Sequence, residues 1–223
     1  MSKLVLFDLD NTLLAGDSDY EWGQFLINRG IVDRALYESK NEQFYQQYKA
    51  GTLNIHEFLD FQLRPLALHS RAQLDAWHAE FMRDTIAPMI TSAARDLVSR
   101  TLAEADLVAI ITATNSFVTA PIAQAFGIPH LIATEPEQIN GEFTGKVAGT
   151  PSFREGKVTR LNDWLTTQNK QLADFDESWF YSDSLNDLPL LELVSHPVAV
   201  DADSTLLAHA HKLAWPSITL RQP

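Results

Sequence analysis

The chain has 223 residues, of which 45% are hydrophobic and 21% charged, a composition typical of a folded globular protein. Its 17 basic and 29 acidic side chains give a formal net charge of -12, which argues against nucleic acid as a partner. The absence of cysteine excludes disulfides and thiolate metal ligands. With no leader and no integral membrane segment in its hydropathy pattern, the chain is predicted to be cytoplasmic.

The first predicted element is a buried strand, because residues 4–7 form a short apolar run. Asp8 and Asp10 follow at its carboxyl end, the edge where open α/β sheets bind ligands. Alternate residues of an extended chain point to one side, so the two carboxylates can share one volume and would then attract a cation or a proton. A solvated turn, with Asn11 or Thr12 capping a following helix, explains the same pattern without any chemistry.

Residues 16–85 carry helical patterning and no convincing strand. Ser18 and Glu21 have the spacing of a capping box, and Gly30 is placed to end this first helix. The segment therefore predicts a small helical cap inserted after the first strand. Its other three helices are predicted before Gly51, over 55–63 ahead of Pro65, and from the Ser70 and Gln73 pair onward.

From about residue 86 short apolar strands alternate with helices, which is typical of a parallel sheet covered on both faces. Asn140-Gly141 predicts a small β-hairpin over 137–147. The predicted fold class is α/β, a Rossmann-like doubly wound parallel sheet. Its core comprises residues 1–15 and 86–223, with 16–85 as an inserted four-helix cap. Strands are predicted at 107–112, 130–133, 179–182 and 197–200, and helices near 92–103, 117–126, 154–167 and 186–194.

Polar side chains stand at further strand ends and helix starts. Thr112 ends one strand and Asn115 begins the next helix, a natural place for phosphate oxygens, although a plain helix cap accounts for both residues. Lys157 lies early in a later helix and, taken alone, reads as a surface lysine. Asp183 and Asp187 follow the strand at 179–182, which again could be a loop and a capped helix.

The order of these groups resembles the four motifs of the haloacid dehalogenase superfamily, whose first type of cap is inserted after strand one. The four-helix cap and the Gly156-Lys157 pair resemble the branch that contains phosphoserine phosphatase. Thr112-Ala113-Thr114 and Ser182-Asp183-Ser184 differ from the Ser-Gly-Gly and Gly-Asp-Gly usual in that enzyme, so serine is not implied as the leaving group. The four motifs correspond to Asp8-x-Asp10-x-Thr12, Thr112, Lys157 and Asp183-x-x-x-Asp187.

This resemblance implies a Mg²⁺-dependent phosphatase that works through an aspartyl-phosphate. Asp8 would be the nucleophile and Asp10 the general acid and base, while Thr112 and Lys157 would stabilise the phosphoryl oxygens. The metal ligands would be Asp8, Asp183 and the backbone carbonyl of Asp10. Supporting roles are assigned to Thr12, Asn115, Asn186 and Asp187, and substrate contacts to Asp17 and Arg64.

Other functions use comparable residues. A phosphomutase of the same superfamily would isomerise a sugar phosphate instead of releasing phosphate. A phospho-receiver signalling domain also combines an aspartate, a metal and a lysine, but it is shorter and has no helical insertion after strand one. The expected partner is a small phosphorylated metabolite, with phosphoserine, histidinol phosphate, phosphoethanolamine and a phospholipid head-group phosphate all compatible. No pattern in the sequence indicates an oligomeric state.

Overall fold

The computed structural model describes residues 2–221, in which seven strands form one sheet. Each pair of neighbouring strands is parallel, except for one antiparallel pair that forms a hairpin. This architecture confirms the predicted α/β class. The strands are β1 (Lys3–Phe7), β2 (Leu107–Asn115), β3 (His130–Ile139), β4 (Glu142–Ala148), β5 (Glu177–Ser182), β6 (His196–Val200) and β7 (Ser217–Ile218).

Ten α-helical segments accompany the sheet within the described residues. The first six lie between β1 and β2, and the fourth of these continues through the turn Met82–Ile86 into the fifth, a single turn of helix. They are α1 (Ser18–Asn28), α2 (Arg34–Lys49), α3 (Ile55–Leu63), α4 (Arg71–Phe81), α5 (Ala87–Met89), α6 (Ser92–Glu104), α7 (Ser116–Phe126), α8 (Glu155–Thr167), α9 (Leu188–Leu191) and α10 (Ser204–Leu213).

The strand order is β4-β3-β2-β1-β5-β6-β7, so the chain builds one side of the sheet from β1 and then returns to build the other side. Phe7 of β1 pairs with Ile110 of β2 and with Tyr181 of β5. Such a reversal opens a crevice beyond the carboxyl ends of the strands, where ligands bind in open α/β sheets. The crevice lies where β1 and β5 end.

Side chains alternate between the two faces of the sheet along each strand, and both faces are buried. Val5 and Phe7 belong to a hydrophobic cluster on one face. Leu4 and Leu6 belong to a second cluster on the other face. The buried sheet fixes the direction in which β1 leaves the core, and thereby the position of the residues that follow it.

The helical segment enters and leaves the sheet through two adjacent stretches of chain. Leu14 and Ile90 form an antiparallel bridge, and the Ala15 N–H donates to the Met89 carbonyl at 2.9 Å. On the other side, the β3–β4 hairpin contacts the segment, since the Arg71 N–H donates to the Glu142 carboxylate at 3.0 Å. The helices α1–α4 are therefore tied to the sheet at two places.

Several predicted elements are confirmed and others are corrected. The structure has α3 at the predicted residues and the hairpin on the predicted turn, where Asn140 and Gly141 both have positive φ. Ser18 does not cap α1, because the Asp17 carboxylate accepts from the N–H groups of the first turn. The helix expected near 186–194 is broken into a short 3₁₀ turn and α9, where Pro189 stands in the first turn of α9.

The structure also contains elements that the sequence patterns above do not predict. Strand β2 runs three residues beyond the predicted end at Thr112, and β3 continues into the hairpin. Helix α10 and the short strand β7 complete the far edge of the sheet. Within residues 2–221, no helix has both the length and the apolar character needed to cross a bilayer.

Candidate active site

Asp8 follows β1 directly and is 7% exposed. Its N–H donates to the Tyr181 carbonyl at 2.9 Å, so the backbone pairing of β1 with β5 continues to this residue. One carboxylate oxygen accepts from Lys157 Nζ at 2.7 Å, and the other accepts from the Thr12 hydroxyl at 3.0 Å. Lys157 and Thr12 thus fix the orientation of the Asp8 carboxylate at the carboxyl end of β1.

Asp10 lies in a tight turn, Leu9–Leu13, in which Asn11 has a left-handed φ of 55°. Its Oδ1 accepts from the Ser18 N–H and from the Ser18 hydroxyl, both at 2.6 Å. Its Oδ2 accepts from the Thr114 hydroxyl at 2.8 Å and from Thr112 Oγ1 at 3.4 Å. Burial, followed by the charge of Asp17, raises the pKa of Asp10 to about 6.

Lys157 is buried between two acids instead of lying on the surface. Its Nζ donates to Asp8 Oδ1 and to Asp187 Oδ2, both at 2.7 Å. Burial alone would lower the pKa of Lys157, but the charges of Asp187 and Asp8 raise it overall. Asp187 also accepts from the Ser182 hydroxyl at 2.7 Å, and its burial raises its pKa to about 6 against the lowering effect of Lys157.

Asp183 stands at the end of β5 and faces Asp8 across the Thr12 hydroxyl. Thr12 Oγ1 lies 3.1 Å from Asp183 Oδ1 and 3.0 Å from Asp8 Oδ2, and it accepts from the Asp183 N–H at 3.1 Å. A hydroxyl has one hydrogen, so it can donate to only one of the two carboxylates at a time. Burial raises the pKa of Asp183 well above its usual value, and the charges of Asp8 and Asp187 add to the rise.

This acid cluster suits a divalent cation bound through oxygen. Among the described residues no group of three or more His, Cys, Asp or Glu side chains is placed to hold a metal. Asp8 and Asp183 nevertheless present a pair of carboxylates, and Mg²⁺ commonly takes one or two carboxylates and completes its shell with waters and substrate phosphate. Both carboxylate oxygens of Asp10 accept hydrogen bonds from Ser18 and Thr114.

A cavity of about 650 Å³ extends from these residues to the helical segment. Asp8, Thr112 and Lys157 lie at its inner end, and Asp17 is one of the lining residues from the helical side. Arg64 is exposed and is not among the described residues that line the cavity, so the substrate contact expected for it has no support in the structure. The helical side contributes Asp17, Asp19, Tyr20, Asn41, Phe44, Tyr45, Tyr48, Lys49, Ala50, Gly51, Leu53, Ile55, Phe58, Leu59 and Gln62.

The remaining predicted residues serve local structure as well as lining the cavity. The Asn115 side chain accepts from the Val118 N–H at 3.2 Å and caps α7. Asn186 Oδ1 accepts from Arg154 Nε at 2.9 Å. Asp17 Oδ1 caps α1 by accepting from the N–H groups of Asp19 and Tyr20.

Three hydroxyls contact the predicted acids in ways that the sequence analysis does not identify. Ser18 and Thr114 both donate to Asp10, and Ser182 donates to Asp187. Thr114 stands two residues after Thr112 in an extended strand, and this spacing is the one sequence signal that could have indicated it. The partners of Ser18 and Ser182 depend on how the loops fold back.

A scan against protein-family models matches residues 5–192 to the haloacid dehalogenase-like hydrolase model. The chain belongs to this family. A histidinol-phosphatase of Neisseria meningitidis serogroup C (strain 8013) is 45% identical over 222 residues, which cover 99% of this chain and 100% of the relative. These similarities identify the chain as a phosphatase of the haloacid dehalogenase family.

Two solved structures resemble this phosphatase over nearly its full length. A protein of unknown function from Bordetella pertussis Tohama I is 51% identical, with a TM-score of 0.93 and coverage of 98% of both chains. A substrate-bound phosphoserine phosphatase is 18% identical, with a TM-score of 0.69 and coverage of 100% of this chain and 94% of that one. The second similarity shows a shared fold.

Proposed function

We propose that this phosphatase is a Mg²⁺-dependent phosphomonoester hydrolase that acts on a small phosphorylated metabolite through an aspartyl-phosphate on Asp8. The observation that carries the proposal is the convergence of Asp8, Lys157 and Asp183, which are far apart in the chain. Lys157 Nζ lies 2.7 Å from Asp8, and the Thr12 hydroxyl lies 3.0 Å from Asp8 and 3.1 Å from Asp183. A carboxylate beside a buried cation, at the inner end of a cavity, is arranged to receive a phosphoryl group.

Asp8 is proposed as the nucleophile. Its two partners, Lys157 and Thr12, limit rotation of the carboxylate and keep an oxygen at the cavity surface. Lys157 also supplies positive charge beside the position that the phosphoryl oxygens would occupy. Attack by Asp8 forms a phosphorus–oxygen bond as the bond to the leaving alcohol breaks, and water then cleaves the acyl-phosphate.

Asp10 is proposed as the group that moves the proton. With a pKa of about 6, it can hold a proton for the leaving alkoxide in the first step and, once ionised, take one from the attacking water in the second. The Ser18 and Thr114 hydroxyls hold its two oxygens and orient it. Thr112 is proposed to bind phosphate oxygen from the neighbouring strand end.

Mg²⁺ is proposed to bind the Asp8 and Asp183 carboxylates and the Asp10 carbonyl, with Asp187 in support. When bound, the ion would neutralise the acid cluster and the substrate phosphate. Thr12 is proposed to keep the two carboxylates at the separation that the ion requires. Asn186 and Asn115 are proposed to support the loops that carry these groups.

Metal binding predicts a pH-dependent change in stability. In the metal-free protein the pKa values of Asp10 and Asp187 are raised from 3.8 to about 6. Between these values the folded protein holds protons that the unfolded chain has released, so the free energy of unfolding falls as pH rises through this window, by about 3 kcal/mol per group. Of the proposed metal ligands, Asp183 has a pKa that burial raises well above its usual value. Protons therefore compete with Mg²⁺ for this carboxylate at low pH, and the ion should stabilise the protein more at high pH.

We expect saturating Mg²⁺ to raise the melting temperature by about 5 °C or more near pH 8 and by less than half as much near pH 5. Thermal unfolding with EDTA and with Mg²⁺ measures both shifts. Asp183→Asn should lose most of the shift, whereas the exposed Asp163→Asn should keep it. Equal shifts at the two pH values, or none at either, would contradict metal binding by these acids.

The leaving group is proposed to be cationic and without a carboxylate. On the helical side of the cavity Asp17 and Asp19 contribute two carboxyl groups, and the Asp19 side chain has no hydrogen-bond or ion-pair partner among the described residues. Burial raises the pKa of both groups, that of Asp19 well above its usual value, so a bound cation is what would favour their ionised forms. The cations that line the cavity, again among the described residues, are the exposed Lys49 and Lys157, which is engaged by Asp8 and Asp187. Aromatic rings such as Tyr45 also favour a cation.

Histidinol phosphate fits this description, because it carries an amine and an imidazole and no carboxylate. The histidinol-phosphatase that is 45% identical to this chain supports the same choice. Residues 16–85 are proposed to act as the cap that reads this leaving group, with residues 1–15 and 86–223 as the catalytic core. Asp17 is proposed to contact the amine through the oxygen that does not cap α1.

Phosphate release from a set of substrates tests the proposal. We expect kcat/KM for histidinol phosphate to exceed that for phosphoserine by about tenfold or more, since an unpaired carboxylate near buried acids costs at least about 1.4 kcal/mol. Phosphoethanolamine, which has the amine alone, should fall between them. Asp19→Asn should reduce the ratio of kcat/KM for histidinol phosphate to kcat/KM for phosphoserine. A preference for phosphoserine would contradict the proposed leaving group, and isomerisation without phosphate release would contradict hydrolysis.

A further inference from the structure

A closed circuit of hydrogen bonds joins the C-terminal end of α2 to the loop at residues 183–187, which we call the acid loop. The Tyr48 hydroxyl lies 2.7 Å from Ser184 Oγ, which accepts from Asn186 Nδ2 at 3.4 Å. Asn186 Oδ1 accepts from Arg154 Nε at 2.9 Å, and Arg154 Nη2 donates to the Gly51 carbonyl at 3.1 Å. The circuit begins at Tyr48 in the last turn of α2 and ends at Gly51, two residues beyond the helix.

The backbone of Arg154 is held in an unfavourable conformation, with φ 51° and ψ -122°. Such a conformation costs about 1–3 kcal/mol for a residue other than glycine and persists only where the surroundings enforce it. The turn before α8 enforces it here, since a Cβ at Gly156 would lie 2.1 Å from the Pro151 carbonyl oxygen. The same turn delivers Lys157 to Asp8, so the position of Arg154 is coupled to that of Lys157.

The hydrogen bonds around Ser184 also have a defined direction. Its hydroxyl oxygen accepts from Asn186 N–H at 3.3 Å as well as from Asn186 Nδ2. With both lone pairs in use, the Ser184 hydrogen points to the Tyr48 oxygen. Loss of the Tyr48 hydroxyl therefore removes the acceptor for Ser184 and loosens the acid loop, although Tyr48 is remote from the loop in sequence.

We propose that Arg154 and Tyr48 are positioning residues that fasten α2 to the acid loop, so that Asp183 and Asp187 adopt their active arrangement only while the helical segment covers the cavity. On the core side, the guanidinium of Arg154 contacts both Asn186 in the acid loop and the Gly51 carbonyl after α2. On the helical side, the Tyr48 hydroxyl contacts Ser184 in the acid loop. A lysine at position 154 lacks the planar fork and can keep only one of the two contacts.

Amide hydrogen exchange of the full chain tests the coupling without reference to activity. Tyr48→Phe removes only the hydroxyl and should raise exchange rates in residues 183–187 by about threefold to tenfold, the loss expected for one neutral hydrogen bond. Arg154→Lys should raise exchange both there and in residues 47–51. Tyr37→Phe, on the same helix and outside the cavity lining, and Arg95→Lys should leave the acid loop unchanged.

Enzyme kinetics provides a second readout, which rests on the proposed function whereas the exchange readout does not. Each of Tyr48→Phe and Arg154→Lys should lower kcat/KM by about threefold to tenfold, and the double variant should lose little more than the larger single effect, because either change opens the circuit. If the kcat/KM losses of the two single variants multiplied in the double variant, the proposal would be overturned. It would also be overturned if Tyr48→Phe and Arg154→Lys changed amide exchange only in residues 47–51. Coupled exchange in a protein that releases no phosphate would support the proposal and contradict the proposed function instead.

Discussion

Asp8→Asn is expected to reduce steady-state phosphate release by at least about 10⁴-fold, since an amide cannot serve as the nucleophile for phosphoryl transfer. The variant should still fold, because Lys157 keeps its contact with Asp187 and the acid cluster loses one negative charge. Phosphate release at saturating Mg²⁺, with folding checked by circular dichroism, measures the effect.

An exposed aspartate provides the matched control for this substitution. Asp96 lies on α6 with its side chain in solvent, so Asp96→Asn should retain the activity of the parent protein. If Asp8→Asn retained more than about one hundredth of the parent activity, the residual rate would be too high for a missing nucleophile and the assignment would be wrong.

Lys157→Met is expected to have the second large effect, on activity and stability together. Methionine preserves much of the unbranched stem but removes the charge that separates Asp8 from Asp187. Two buried carboxylates would lose their cation, which destabilises a protein by about 3–5 kcal/mol. We expect turnover to fall by about 10³-fold, because the phosphoryl oxygens also lose an adjacent positive charge.

The loss of stability should depend on pH in a way that identifies its cause. Near pH 5 Asp187, whose pKa burial raises to about 6, can bind a proton, so urea unfolding without Mg²⁺ should show a smaller difference in stability between variant and parent than near pH 8. Lys212→Met, at an exposed position on α10, should change stability by less than about 0.5 kcal/mol. An equal loss at both pH values would indicate a packing defect instead of unpaired charge.

The sheet could be predicted from local patterns because its strands are short, apolar and buried on both faces. The helix α3 matches its predicted bounds for a similar reason, since Asn54 caps its start and Pro65 follows its end. The break before α9 was harder to predict because the pattern of apolar residues continues past Pro189. Helix α10 begins after Asp203, whose carboxylate caps it. A prediction based on apolar periodicity alone does not take such a capping residue into account.

Some residues of the candidate site could be predicted from the sequence, whereas the positions of others depend on contacts between distant parts of the chain. The strand ends that carry Asp8 and Asp183 follow from the topology of a parallel sheet, because carboxyl ends of parallel strands meet at one edge. The burial of Lys157 could not be deduced from its own helix, where the residue resembles a surface lysine. For Arg64 the resemblance predicts a substrate contact, and the structure places this exposed residue at the end of α3, outside the described lining of the cavity.

Detection of a phosphoryl group on Asp8 is the most direct test of this account. The parent protein is mixed with histidinol phosphate and Mg²⁺, quenched within one turnover and mapped by mass spectrometry of its peptides. We predict one added phosphoryl group on the peptide that contains Asp8, and none in Asp8→Asn. Rapid phosphate release by a parent protein that never carries this group, or carries it on another residue, would contradict the account.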